Sequence, residues 1–166
     1  INMNSIFYDC ISLEELDLNK FTTRNVKDME KMFYNCQSLT SLEIKNFDTK
    51  NVVKMSSMFS GCSSLTSLDI SKFETSLIKD MQYVFSNCSS LIILDLSSFK
   101  TPQVTNMNYM FNGCSSLTSL KLTENFVTDK TITMNHMFSG CAKLTSLNLT
   151  NFLTSLVTDM GSLFEG

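Results

Sequence analysis

The chain has 166 residues, of which 43% are hydrophobic and only 17% charged, and its formal net charge is −3. An acidic balance without a basic stripe argues against nucleic-acid binding, because neutralising phosphates requires clustered Lys and Arg. No apolar run approaches the roughly 20 residues that a membrane-spanning helix needs, so we expect no membrane insertion by this segment.

One pattern repeats along the whole chain with a period of 26 residues. The cysteines lie 26 residues apart with one interval of 27, and all 13 Phe and all 11 Met occupy two repeat positions each. Such a period is typical of a solenoid, in which each unit buries its apolar face against the next. Residues 1–166 therefore form a single solenoid fragment, and we expect no capping units at its ends. The units are residues 3–28, 29–54, 55–80, 81–106, 107–133, 134–159 and a partial unit at 160–166.

Each unit begins with a segment that has the spacing of one helix face. In the third unit, Met55, Met58, Phe59 and Cys62 lie at positions i, i+3, i+4 and i+7. A hydrogen-bonding side chain usually precedes the first Met, as expected at a helix start. Gly, Asn or Asp precedes the Cys, and Gly and Asn tolerate the left-handed conformation that closes a helix. The pattern predicts a helix or 3-10 turn of about six residues, stable only when docked on its neighbours.

The six cysteines all share one repeat position. Side chains in such a ladder point in parallel, whereas bridged cysteines must point toward one another. We therefore predict buried free thiols that act as small apolar residues, with disulfides as the alternative. A one-sided ladder does not converge on a point as zinc ligands must, so we predict no metal and no cofactor. The ladder comprises Cys10, Cys36, Cys62, Cys88, Cys114 and Cys141.

A Ser-Leu-x-x-Leu-x-Leu segment follows each Cys and ends in the alternation of a short strand. Because no hairpin partner is nearby, we expect this strand to pair in parallel with the equivalent strand of the next unit, giving about one strand per unit. The unit ends in Phe-x-Thr-x-x-Val, whose recurrent Thr is expected to satisfy backbone groups at a turn. One extra residue among 123–125 should bulge the fifth unit locally without breaking the stack.

The Leu-x-x-Leu-x-Leu core is that of a leucine-rich repeat, and the longer frame resembles the BspA-like group of bacterial surface proteins. Residues 55–65, MSSMFSGCSSL, match that frame closely. The resemblance implies an α/β repeat solenoid, a leucine-rich-repeat-like right-handed coil with one short parallel strand and one short helix or 3-10 turn per unit. It also implies secretion or surface display and an association with adhesion to host proteins, to cells or to other microbes.

Two columns of outward-facing strand residues form the candidate binding face. The first column is Glu15, Ser41, Ser67, Ile93, Ser119 and Ser146. The second column is Asp17, Glu43, Asp69, Asp95, Lys121 and Asn148. Carboxylates about 5 Å apart should raise one another's pKa or attract a cation. The alternative is a solvated face balanced by nearby lysines, since one carboxylate per strand does not supply the oxygens of a calcium site.

Two further groups of side chains were considered for function. His136 is the only histidine, and with no Cys or Asp arranged to orient it we expect a surface residue rather than a catalytic one. Four tyrosines near the turn segments could contact a ligand, but we expect them to cover turns between units. They are Tyr8, Tyr34, Tyr83 and Tyr109.

The chain carries no convergent nucleophile, base or metal set, so we predict that it is not an enzyme. The leading hypothesis is a non-catalytic module, extracellular or on the cell surface, that mediates adhesion or binds a protein or another cell-surface macromolecule. The alternative is a structural spacer or fibre-forming segment of an extracellular protein, with copies stacking end to end. Outward strand positions vary in residue type whereas inward ones barely change, which favours binding.

Overall fold

The computed structural model describes all 166 residues as a stack of similar units around one continuous core. Its regular elements are four short strands, β1 to β4. The pairs β1–β2 and β3–β4 are parallel, and each pair joins residues 26 positions apart, so equivalent strands of successive units meet as predicted. The strands are β1 (Glu15–Asp17), β2 (Ser41–Glu43), β3 (Ile93–Asp95) and β4 (Ser119–Lys121).

The segment between the first Met and the Cys of each unit, here called the turn segment, is not an α-helix. In the second unit, alternate N–H groups of residues 29–35 donate to carbonyls of residues 54–60 in the next unit, at 2.7–3.0 Å. Of the intervening N–H groups, those of Met32 and Tyr34 donate to carbonyls three residues back along the chain, as in single turns, and that of Glu30 donates to Asp28 Oδ1. A helix would use all these donors internally. Because so short a helix is marginal, bonding between units replaces it.

Two residues of each turn segment have a positive φ. One precedes the Cys, where Asn35 has a φ of 59° and Gly61 a φ of 77°, so the left-handed position that we predicted is confirmed. The other lies two residues after the first Met, at Ser57, Tyr83 and His136 among others, and the sequence did not reveal it. A left-handed non-glycine residue costs about 1–2 kcal/mol and interrupts a helix. This second position accounts for the missing helix.

The core consists of side chains that the repeat brings into columns. One Phe column runs the length of the stack with ring centroids 5.4–5.7 Å apart. The Met and Cys columns lie beside it and are fully buried in the middle units. Offset stacking of aromatic rings adds to the stability that burial provides. The Phe column is Phe7, Phe33, Phe59, Phe85, Phe111, Phe138 and Phe164.

The recurrent Thr satisfies backbone groups of the following unit, as the sequence predicted. The Thr75 hydroxyl donates to the Lys100 carbonyl at 2.8 Å and accepts the Lys100 N–H at 2.9 Å. Thr49 makes the same two bonds with Glu74, at 3.0 and 2.7 Å. One buried hydroxyl thus supplies both the donor and the acceptor that an adjacent strand would otherwise provide.

The strand column is interrupted twice, which corrects the expectation of one strand in every unit. Residues 67–69 and 146–148 hold the strand position of the third and sixth units but are not strands. Their central leucines, Leu68 and Leu147, are only half-buried, whereas the equivalent Leu94 is fully buried. In the interior of the stack, the unpaired strand position of the third unit thus also buries its central Leu less than the paired strands do.

The extra residue of the fifth unit leaves the stack unbroken, as predicted, and the strand pairing is interrupted at the next unit. A cleft of about 460 Å³ lies between the strand positions of the fifth and sixth units, lined by Lys121 and Asn148 among others. The stack nevertheless continues beneath it, because the Phe111 and Phe138 rings lie 5.4 Å apart. The insertion coincides with a break in the sheet and leaves the stack intact.

Candidate functional site

The structure places both predicted columns on one exposed face, here called the strand face. Because the central Leu of each strand points into the core, the residues on either side of it point outward. The register aligns Glu15 with Ser41, and Asp17 with Glu43, so the columns are continuous from one strand to the next. The ten predicted face residues are all exposed, namely Glu15, Asp17, Ser41, Glu43, Ser67, Asp69, Ile93, Asp95, Ser119 and Lys121.

In the second column, Asp17, Asp69 and Asp95 close the turn that follows their strand position. Asp69 Oδ1 accepts the Ser71 hydroxyl at 2.7 Å and the Ser71 N–H at 3.1 Å. Asp95 accepts the same two donors from Ser97. These hydrogen bonds hold the pKa of Asp69 and that of Asp95 below the ordinary value. Our expectation of raised pKa values is therefore wrong at these two residues, because hydrogen bonding to the ionised form outweighs the desolvation that raises the pKa.

An uncharged acceptor can replace the carboxylate at this position of the second column. Asn148 closes its turn in the same way, with Oδ1 accepting the Thr150 hydroxyl at 2.6 Å and the Thr150 N–H at 3.0 Å. Lys121 places its Nζ 3.0 Å from Asp95 Oδ2 and neutralises part of the column. No three His, Cys, Asp or Glu side chains converge where they could hold a metal ion.

All six cysteines are free thiols, as predicted. The Sγ atoms of Cys36 and Cys62 lie 3.1 and 3.2 Å from Phe carbonyls of the preceding unit, and the later thiols repeat this contact. Burial raises the pKa of Cys36 and Cys141 to about 11, and raises the pKa of the three thiols between them further. Protonated, buried thiols are weak hydrogen-bond donors and poor nucleophiles, so the ladder is structural.

Aromatic side chains form two short stacks on the outward surface of the turn segments. Tyr8 and Tyr34 stack with centroids 4.9 Å apart in the first two units. Tyr83 and Tyr109 stack at 4.8 Å, and His136 continues that column at 4.7 Å from Tyr109. The 26-residue spacing within each tyrosine pair was a signal for these stacks that our sequence interpretation missed.

His136 lies on the outward surface of the turn segments, where two neighbours contact it. Its ring is half-buried against Tyr109, and its Nδ1 lies 3.7 Å from a carboxylate oxygen of Glu165. Both contacts hold the ring in place at the end of the aromatic column. No nucleophile lies among these partners, so the ring serves packing in this structure.

A stack of 26-residue units, with short strands paired in parallel between successive units, defines a leucine-rich repeat solenoid. The fold is similar to that of a T. pallidum leucine-rich repeat protein, at 21% identity and a TM-score of 0.59, over 98% of this chain and 62% of that one. A leucine-rich repeat protein from Eubacterium ventriosum ATCC 27560 matches at 20% identity and a TM-score of 0.56, over 98% of this chain and 55% of that one. This chain therefore spans less than two thirds of either structure.

The chain belongs to the family described as "Mycoplasma protein of unknown function, DUF285", which matches residues 1–122 and 91–166. These overlapping matches and the two solved structures confirm the resemblance to BspA-like leucine-rich repeats. No curated protein matches the sequence. None of the structure's segments forms a helix with the length and apolar character needed to span a membrane.

Proposed function

We propose that this solenoid is a surface-displayed module that adheres to its target by binding a protein through the strand face. The observation that carries the proposal is the face itself, where ten side chains stay exposed and eight of them are aligned by two pairs of hydrogen-bonded strands. The turn segments bond every unit to the next, and a surface that is formed before binding loses little conformational entropy when it binds. Leucine-rich repeat folds generally mediate protein–protein interactions, and that general role supports this assignment.

The chemistry of the strand face suggests what kind of surface it binds. Ile92 and Ile93 are 47% and 60% exposed, and Ser67 and Ser119 flank them in the neighbouring units. The carboxylates of the second column lie beside this apolar pair. A central apolar anchor inside a polar rim is the arrangement of many protein interfaces. The partner surface therefore presents an apolar spot bordered by basic side chains.

Display outside the cell is part of the same proposal. It is supported by the likeness of the repeat frame to that of BspA-like bacterial surface proteins. The thiol ladder is compatible with an oxidising exterior, because buried thiols of raised pKa react slowly with oxidants.

The proposal is tested by incubating beads that carry the chain with cultured epithelial cells and counting the beads that attach. Changing Glu43 to Gln, and Asp69 and Asp95 to Asn, removes three charges while Asn148 shows that an amide can still close the turn. We expect the thermal unfolding midpoint to stay within a few degrees and bead attachment to fall several-fold. The remaining attachment should depend less on salt, because exposed charges are screened.

The matched control removes three exposed carboxylates away from the strand face, by changing Glu74 to Gln and Asp9 and Asp129 to Asn. Attachment of this control should equal that of the unchanged chain. A third variant, Ile93→Ser, should weaken attachment without altering its salt dependence. Equal losses in the two charge variants, or no loss from the strand-face variant, would contradict the proposal and favour the spacer alternative.

A further inference from the structure

The two aromatic stacks end on either side of a depression in the third unit. The first stack ends at Tyr34, and the next position of its column is Ser60; the second begins at Tyr83, and the preceding position of its column is Ser57. Each terminal tyrosine therefore has one ring face without an aromatic neighbour. The depression has a volume of about 380 Å³ and opens on the outward surface of the turn segments.

The floor of this depression is built from hydroxyl groups that the chain itself does not use. Ser57, Ser60 and Ser86 line it and are only 8%, 7% and 2% exposed. None of the three hydroxyls has a hydrogen-bond partner within the protein, although each can donate one bond and accept two. Only Asn19 and Thr123 have a buried side-chain oxygen without a partner, so the three serine hydroxyls open into the depression, where a ligand can bond them.

The remaining lining groups are also polar and mostly uncharged. The side-chain amides of Asn87 and Asn112 lie at one end, and Lys31 is the single charged residue. Amides and hydroxyls both donate and accept hydrogen bonds, so they match a ligand with several hydroxyl groups. A phosphate or other anion would require more than one cation, and the site offers one.

We propose that this depression binds a sugar ring of a neutral glycan. The exposed ring faces of Tyr34 and Tyr83 offer flat apolar contacts for the C–H groups of a pyranose, and the serine floor bonds its hydroxyls. The stacked tyrosine rings of successive units lie 4.8–4.9 Å apart. A unit that has serine in place of tyrosine therefore leaves a space about as thick as one ring. Aromatic walls with a few convergent polar groups are typical of ligand sites.

This site is independent of the strand face and extends the proposed function rather than resting on it. The strand face would bind protein, whereas the depression recognises carbohydrate on the same or a different target. A proline-rich peptide also packs against tyrosine rings, but it brings few donors for the serine hydroxyls. The unbonded floor therefore favours the sugar, and the peptide becomes an outcome of the test.

The experiment measures binding of chitotetraose, maltotetraose and cellotetraose by NMR on the isotope-labelled chain at up to about 10 mM ligand, where weak sites are still detected. We expect at least one of the three to bind and to shift resonances of the tyrosines and serines of the depression. A polyproline peptide is offered in parallel. If no sugar binds, or if only the peptide binds, the proposal is overturned.

One variant removes an aromatic ring from the depression and another adds one. Both introduce a residue that another unit already has at the same repeat position. Tyr83→Ser copies Ser57, whose φ of 56° matches the 57° of Tyr83, and should weaken sugar binding at least tenfold. Ser60→Tyr copies Tyr34 and should extend the first stack into the depression, abolishing binding while the unfolding midpoint stays unchanged or rises. Sugar binding that survives both changes would also overturn the proposal.

A control on the other face separates this inference from the proposed function. Ile93→Ser lies on the strand face and should leave sugar binding unchanged while reducing bead attachment to cells. Conversely, Ser60→Tyr should leave the attachment of beads through the strand face unchanged. This attachment is measured as the part that is lost when the cells are first treated with trypsin. Loss of sugar binding in Ile93→Ser with a normal unfolding midpoint would count against a separate site.

Discussion

The hydrogen bonds between successive units are continuous along the turn segments but interrupted along the strand positions. In the turn segment, the N–H before each Cys donates to the next unit at 2.6–2.9 Å in all six units, from Asp9 to Gly140. In the strand segment, pairing exists between β1 and β2 and between β3 and β4, and is absent at the strand positions of the third and sixth units. The difference shows that the turn segment is the continuous spine of this solenoid.

The reason for this difference is how much apolar surface each segment buries. A turn segment contributes its Met residues, a Phe and a Cys to the core, and in the third unit Met55, Met58, Phe59 and Cys62 are all fully buried. A strand contributes one central Leu between two exposed residues. Packing therefore holds the turn segments in register, whereas the strand register can be lost at little cost.

The largest expected effect comes from breaking the Phe column. Phe59→Ala should lower the free energy of unfolding by about 3–5 kcal/mol, because it removes a buried ring that stacks on both neighbours. Leu68→Ala, in the unpaired strand position of the same unit, should cost clearly less because Leu68 is only half-buried. Urea unfolding measures both variants. Equal costs would refute the view that the turn segment is the spine.

The alkylation rates of the cysteine thiols test whether the turn segment stays closed in a unit whose strand pairing is interrupted. Because burial raises the pKa of Cys36 from an ordinary 9.0 to about 11, its alkylation below pH 9 should be about a hundredfold slower than in the unfolded chain. Mass spectrometry after iodoacetamide treatment reads each cysteine separately. Cys62 lies beneath the sheet interruption and should react as slowly as Cys114. Much faster reaction of Cys62 would show that the spine opens there.

The raised pKa of the buried thiols also predicts how the free energy of unfolding depends on pH. The unfolded thiol ionises near pH 9, whereas the folded Cys36 and Cys141 thiols resist ionisation until about pH 11. Their contribution is complete below pH 9, and the free energy of unfolding should fall as the pH rises from 9 to 11. Replacing Cys36 with Ala should make that fall shallower, and an unchanged alkaline profile would contradict the assignment.

The threonine hydroxyls should contribute less than the Phe column but more than any exposed strand residue. Thr75→Val leaves the Lys100 N–H and carbonyl without their partner and should cost about 1–3 kcal/mol in thermal or urea unfolding. Thr66→Val is the matched control, because Thr66 is exposed, and it should change stability by less than about 0.5 kcal/mol. A similar effect from both substitutions would mean that the Thr75 hydroxyl is dispensable.

The smallest effect is expected at the turn that Asp69 closes on the strand face. Asp69→Asn keeps the acceptor and Asp69→Ala removes it, yet both should alter stability by about 0.5 kcal/mol or less because the turn is exposed. The pKa of Asp69 is lowered, so its small contribution is present at neutral pH and is lost as the pH falls below about 4. Acid titration followed by NMR should show Asp69 protonating below the ordinary value.

The sequence alone determined the features that depend on the period. A 26-residue repeat with apolar residues at constant positions can bury them only by stacking, so the solenoid, the free cysteine ladder and the inward Leu positions could be predicted. The Thr column could be predicted too, because a recurrent polar residue inside an apolar frame must find a backbone partner. These inferences needed only residue type and spacing.

Tertiary structure decided what depends on competition between bonding within a unit and bonding between units. The Met-x-x-Met-Phe spacing fits a helix, but the carbonyls of the next unit take half of the donors and a left-handed residue such as Lys31 becomes necessary. The depression between Tyr34 and Tyr83 is a second example. These two residues belong to different columns, and the spacing along the sequence does not reveal how far apart two columns lie on the surface. Local pattern specifies which side chains are buried, whereas the partner of each backbone donor is chosen when the units stack.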